Sequence, residues 1–387
     1  MASRNRTLAL LALAELLGMS VWFTASALAP QLERAWSLSP GGAGWLTAAV
    51  QLGFVAGTAV AAVLNLADIV PPRAYFALAA LAAAGCNLAL LAAGGVAGAL
   101  VSRFGTGFFL AGVYPPAMKM IATWYKDGRG FAIGTIVGAL TVGKAMPYLV
   151  HGLERAGAAP VVVGSSAAAA VGGLLVLAAY RDGPHGFERR PFAWGLVATV
   201  ARDQPTRLAI GGYLGHMWEL YAMWTWIAVF LAGGAGFGAR AGDIAGFAAI
   251  AVGGAGCVIG GRLADRYGRE RLTIWAMAAS GACGAVIGLG AAAAPALALA
   301  IALAWGFTVV ADSAQFSALV TELAPAHAVG TALTLQTSLG FLLTMGSIQL
   351  VPRLVTAVGW RWAFVALAAG PAAGIAAMRR LRRMRAG

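Results

Sequence analysis

Apolar residues in this chain come in runs of about 20, separated by short stretches where Arg, Lys, Asp, Glu and Pro collect. A run of that length suits a helix crossing roughly 30 Å of hydrocarbon, where every backbone polar group must be paired within its own segment. Twelve such helices are predicted, near 7–29, 42–65, 73–92, 97–122, 129–152, 159–180, 207–232, 243–261, 271–291, 295–319, 328–351 and 361–378. An even number of crossings leaves both ends on one side. Of the 27 Lys and Arg, only Arg34, Arg155, Arg240, Arg353 and Arg361 fall in the alternate loops opposite the termini. That asymmetry predicts cytoplasmic termini in a plasma (inner) membrane.

The opening segment also has the outline of a signal peptide, with Arg4 and Arg6 ahead of an apolar stretch that contains Ala25-Ser26-Ala27. Glu15 inside that stretch argues for a retained span, and so does an internal copy of it. Glu15-Leu16, Met19 and Trp22 recur 204 residues on as Glu219-Leu220, Met223 and Trp226. Leu66-Ala67-Asp68 and Cys86 recur as Leu263-Ala264-Asp265 and Cys283, and Gly134-Thr135 as Gly330-Thr331. Such spacing predicts a duplicated bundle: six helices in 1–180, a polar cytoplasmic linker at 181–206, and six more in 207–387 ending in a basic tail. The fold class expected is an all-α membrane protein of two pseudo-symmetric six-helix halves. Within the linker, Phe192, Trp194, Leu196, Val197 and Val200 are placed on a short interfacial helix.

Composition agrees, at 60 % apolar and 11 % charged, against about 25 % charged in soluble domains. The net charge of +13 is spread over loops, not gathered on one face, so no nucleic-acid partner is expected. Cys86, Cys257 and Cys283 lie in apolar segments without CxxC spacing, so neither a metal nor a cofactor is expected. Nor does any GxSxG, HExxH or paired-Cys arrangement point to an enzyme.

The loop Gly261-Arg262-Leu263-Ala264-Asp265-Arg266-Tyr267-Gly268-Arg269 resembles the G-x-L-A-D-R-x-G-R signature of the major facilitator superfamily of secondary transporters. Arg103-Phe104-Gly105-Thr106-Gly107 is similar to that family's R-x-x-x-G element, associated with coupling. The resemblance spans essentially the whole chain and implies alternating access between two rocking halves. In the first half the equivalent loop keeps Asp68 and Arg73 but carries Leu64, Ile69 and Pro71 where the pattern has Gly, Arg and Gly. In size and compactness the chain also resembles nitrate/nitrite and cyanate porters. An Asp at a helix end accepts from the exposed N–H groups opening a neighbouring helix. Asp265 with Arg266, and Asp68 in the first half, are therefore expected to act as gate latches against such a helix start. The alternative is that these charges only orient the loops.

Ionisable groups at mid-membrane cost roughly 2.5 to 3.5 kcal/mol each on insertion scales and so call for a function. Glu15, Glu219 and Asp312 are the acids; Arg103, Lys119 and Lys144 are the bases. Glu15 and Lys119 lie at similar depths, which permits a pair. His216, Glu219, Met223 and Trp226 share one helical stripe, expected to face the pore. His216 changes charge near neutral pH; its alternative role is an interhelical tie. Pro147 beside Lys144, and Tyr114-Pro115-Pro116, are expected to interrupt their helices near a site. Proton coupling is thus expected at Glu15, Glu219, His216 or Asp312, and substrate contact at Arg103, Tyr114, Lys144, Trp22, Trp226 and Gln336. Trp22 and Trp226 serve equally well as packing.

The expected activity is proton-coupled transport of a small organic or inorganic anion by a monomer, with substrate, protons and lipid as its partners. The alternative is a proton-driven exporter of lipophilic or cationic compounds.

Overall fold

The structure is a computed structural model describing residues 2–126, 128–153, 157–185 and 193–386. Among these residues there is no strand, and ten helices are long and apolar enough to cross a membrane. The other two crossings fall short for physical reasons. The first, Ala2–Met19, breaks at Ser20–Phe23 before resuming as Thr24–Ala27 and Ala29–Trp36, and no single apolar helix spans it. The seventh, Gln204–Val229, is continuous but dilutes its hydropathy with Tyr, Trp, His216 and Glu219.

The remaining spans are Pro40–Val63, Pro72–Leu88, Val96–Leu110 with Tyr114–Ala122, Arg129–Leu153 and Ala159–Ala179 in the first half. The second half holds Ala239–Ala251 with Gly253–Tyr267, Arg269–Ala293, Pro295–Val309 with Ser313–Leu323, Val329–Val358, and a twelfth closing in Ala369–Ala386. Span four breaks just ahead of Pro115 and Pro116, which sit in the first turn of the resumed helix, where a missing N–H costs nothing. Span ten breaks at the matching place, Val310–Asp312, without a proline. Span five instead runs unbroken through Pro147. In the linker, residues 194–202 are helical, with Val200 buried and Trp194 exposed. Phe192 lies outside the described residues.

Small residues decide how the helices meet. A Cβ at Gly107 would stand 1.8 Å from the carbonyl oxygen of Val50, and one at Gly306 1.5 Å from that of Ala249. These two glycines occupy equivalent places and bring span four onto span two, and span ten onto span eight, at backbone contact. The halves touch each other along two seams, span five on span eight and span two on span eleven. Along the first seam, Gly138 and Gly254 face each other, either Cβ falling within 3.0 Å of the opposing carbonyl oxygen.

Candidate functional site

Between the halves lies a chamber of about 520 Å³. Its mouth, on the face carrying both termini, holds Lys119, Arg269 and Glu322. Arg269 donates to Gln315 Oε1 at 2.5 Å and to Glu322 Oε1 at 2.9 Å. The walls are apolar, with Met19, Phe54, Tyr114, Met118, Val137, Leu140, Met217 and Phe341 from both halves.

Lys144 forms the deep end, about 22 Å along span five from its start at 1.5 Å per residue. Its side chain is 2 % exposed. Nζ lies 2.5 Å from the hydroxyl oxygen of Tyr221, 3.7 Å above the centre of the Trp22 ring, and 5.7 Å from that of Trp224. The cation thus sits in an aromatic cage whose ring faces replace part of its water. Behind it is Glu15, fully buried, whose two carboxylate oxygens accept no hydrogen bond. Lys144 is the cation whose charge reaches this carboxylate. Glu15 makes no pair with Lys119, the partner that depth permitted; span one packs along span five, which leaves Lys144 as the cation behind which it lies, with no bond between them.

Arg103 is not on the chamber wall. Its guanidinium donates to the carbonyl oxygens of Val21 at 2.8 Å and Trp22 at 2.6 Å, and to Asn87 Oδ1 at 2.5 Å. Those carbonyls lie in the break of span one, so the arginine satisfies backbone groups that the interrupted helix leaves open. Asn87 passes the tie to Ser165 and Ser166 on span six. Substrate contact, expected of Arg103, is prevented by these bonds.

The stripe on span seven faces the wrong way for the pore. Glu219 accepts from Ser280 Oγ at 2.7 Å and from Trp305 Nε1 at 2.8 Å, inside the second bundle. Trp226 donates from Nε1 to the Ile348 carbonyl at 2.9 Å, and its ring packs toward Gly44 at the start of span two. The face that lines the chamber is Tyr213, Met217, Leu220, Tyr221 and Trp224. That i, i+4, i+7, i+8, i+11 series is itself a helical stripe, overlooked because it carries no charge. His216 meets Asp312, not Glu219, with Nδ1 and Oδ1 2.9 Å apart and both side chains about 1 % exposed. Gln336 is fully buried one layer behind the wall, its Nε2 3.2 Å from Ser317 Oγ. Tyr114 lines the chamber.

At the loop of the signature, the Asp265 carboxylate rests on the first turn of span five, for a Cβ at Gly130 would lie 2.8 Å from each of its oxygens. Arg266 stacks on neighbouring Tyr267 at 5.1 Å, whereas Arg262 reaches span five, over the Phe131 ring at 4.9 Å. Asp68 falls in the short helix Leu66–Ile69, and its side chain lies outside the described residues.

The face opposite the mouth is closed by bonds between the halves. His151 Nδ1 is 2.6 Å from Asp243 Oδ2, while its Nε2 is 3.0 Å from Gln31 Nε2. Arg240 Nε donates to the Gly152 carbonyl at 3.1 Å, and the Tyr148 hydroxyl donates to the Trp224 carbonyl at 3.2 Å. Thr344 donates to Gln51 across the second seam. His151, Asp243 and Gln31 were not singled out from sequence, since each lies near a span end where polar residues are commonplace.

Two six-helix bundles around a chamber open on one face define a membrane transport protein, not an enzyme. The family model of the Major Facilitator Superfamily matches residues 10–348, and the chain belongs to that superfamily. Two solved structures of a bacterial homolog to the human lysosomal transporter Spinster are similar. The inward-facing, occupied form has a TM-score of 0.72 at 17 % identity, covering 98 % of this chain and 97 % of that one. The inward-facing, unoccupied form has a TM-score of 0.70 at 16 % identity, covering 98 % of each. At such identities the likeness is one of fold. No curated protein matches the chain by sequence.

Proposed function

We propose that this protein is a proton-coupled secondary transporter of a small anion, alternating between two access states with its termini in the cytoplasm of a plasma membrane. Residues 1–180 and 207–387 are the rocking bundles, joined by 181–206, and the chain works as a monomer. The observation that carries the reading is a buried Lys144 at the blind end of the chamber, with the Glu15 carboxylate fully buried and unbonded behind it.

Moving net charge through a low-dielectric barrier is costly, so the states that cross are those in which the site is neutral. With the chamber empty, Lys144 and Glu15 balance each other. When an anion takes Lys144, Glu15 is left uncompensated, with no donor nearby, and a proton restores neutrality. Anion and proton therefore bind together, one for one, and cross together. Tyr114 lines the path to the site, and Trp22 and Tyr221 hold the ammonium. Glu219 with its two donors ties the second bundle together, and His216 lies against Asp312 within it. Asp265 on the start of span five is the latch proposed for the seam between the halves.

Protein in liposomes under an inward pH gradient should accumulate the anion, and a membrane potential alone should not drive a monoanion. Glu15→Gln should stop net uptake but keep exchange of internal for external anion, because the loaded carrier stays neutral while the empty one carries an unbalanced Lys144. Loss of both activities together would count against the coupling role.

The apolar walls favour a second reading, a proton-driven exporter of lipophilic or cationic compounds. Lys144→Gln separates the two: anion uptake should fall at least tenfold, whereas efflux of a hydrophobic dye would be spared.

A further inference from the structure

The resemblance in size to nitrate/nitrite and cyanate porters leaves the kind of anion open, and the chamber itself narrows it. Below Lys144 the wall is formed by Met19, Phe54, Met118, Val137, Leu140 and Phe341, and the next charged groups are at the mouth. There Arg269 is already bonded to Gln315 and Glu322. An inorganic oxyanion presents acceptors on every side. At the deep end the lining donors are few, the Lys144 ammonium, the Tyr221 hydroxyl and the Trp224 indole N–H, with hydroxyls such as those of Tyr114 and Thr58 scattered along the wall, so much of its hydration would go unreplaced. The apolar wall below would also stay bare, in a chamber of about 520 Å³, a size typical of pockets for drug-sized organic molecules.

Resting on the anion reading above, we propose that the substrate is an amphiphilic monoanion. Its single acidic group sits at Lys144 beneath Trp22, and its apolar body lies along Phe54, Leu140 and Phe341 toward the mouth. The acidic group exchanges the ring faces around Nζ for a charge-assisted hydrogen bond, roughly twice the strength of a neutral one. The body replaces water against the wall, which makes affinity grow with length. Two buried indole N–H groups beside the ammonium, on Trp22 and Trp224, have no acceptor in this state. They are available to the acid's second oxygen if the cage tightens around it.

The test is binding of acetate, butyrate, hexanoate and octanoate to the purified full chain in nanodiscs. Quenching of tryptophan emission is the readout, with empty nanodiscs correcting for partition into lipid. Octanol, octylammonium and nitrate are the comparisons. Affinity should rise about fourfold per added methylene, nitrate should fail to displace octanoate, and Lys144→Gln should bring octanoate down to the level of octanol. Leu140→Asn, on the wall one turn below Lys144, should flatten the dependence of affinity on chain length. A flat series, or nitrate binding as tightly as octanoate, would overturn the amphiphile and leave the anion reading intact. Octylammonium or octanol binding the unaltered chain as well as octanoate would sink the anion reading itself.

Discussion

Ionised side chains inside a bilayer are rare enough to stand out in any sequence, and each of those marked here is buried or borders the chamber. What they do was not written in their spacing. Arg103 and Lys144 have the same sign and similar depth, yet one caps a broken helix and the other ends a chamber. The difference lies in which neighbours turned up: two open carbonyls and an amide for Arg103, and three aromatic side chains for Lys144. Arg103→Ala would orphan the Trp22 carbonyl, at about 1 to 3 kcal/mol, and leave that of Val21 to the Thr24 hydroxyl alone. The melting temperature in detergent should fall accordingly, with Arg103→Lys restoring only part of it. Glu219 makes the same point, since its two donors come from spans nine and ten and only the assembled bundle brings them to it.

Helices were the most legible elements, because a run of apolar residues in lipid has no other way to pair its backbone. Their interruptions were less so. Pro115 and Pro116 mark the break in span four, yet span ten breaks at the same place with no proline and span one breaks at Ser20–Phe23 with neither proline nor glycine. Those breaks are held from outside, in span one by Arg103. Pro147 shows the converse, a proline tolerated inside an unbroken helix. Close approach belongs to this scale too. Gly107→Ala must push span four off span two, since its Cβ would overlap the Val50 carbonyl. Separation by even a fraction of an ångström loses dispersion along the whole contact. Gly107→Ala and Gly306→Ala should each lower the thermal midpoint, whereas Gly164→Ala, whose Cβ meets nothing within 4 Å, should leave it unchanged.

At the scale of the whole molecule, one face is open and the other is tied shut by His151, Asp243, Gln31, Arg240 and Tyr148. His151 with Asp243, Arg240 with Gly152 and Tyr148 with Trp224 each join the two halves, while Gln31 bonds His151 within the first. On the orientation proposed above these bonds hold the inward-open state, and Asp243→Asn should shift the population toward the opposite opening. A cysteine placed at Gln51, fully buried beneath that face, would then react faster with a membrane-impermeant maleimide added from outside. An unchanged labelling rate would show that the seams alone keep the face closed.

The amino-acid order alone determined the number of crossings, the duplication and the transporter class. The crossings and the duplication follow from a local requirement, about 20 apolar residues per span, that repeats itself along the chain, and the class from the resemblance of the loop at 261–269 to a family signature. Which stripe of span seven lines the chamber, which acid stands bare and which cation faces it were decided only by the packed bundles. Those outcomes depend on the rotation of each helix about its axis, and a turn of a few tens of degrees exchanges a buried tie for a chamber wall. That rotation is fixed by glycine contacts and hydrogen bonds between residues far apart in the chain, and no local pattern records it.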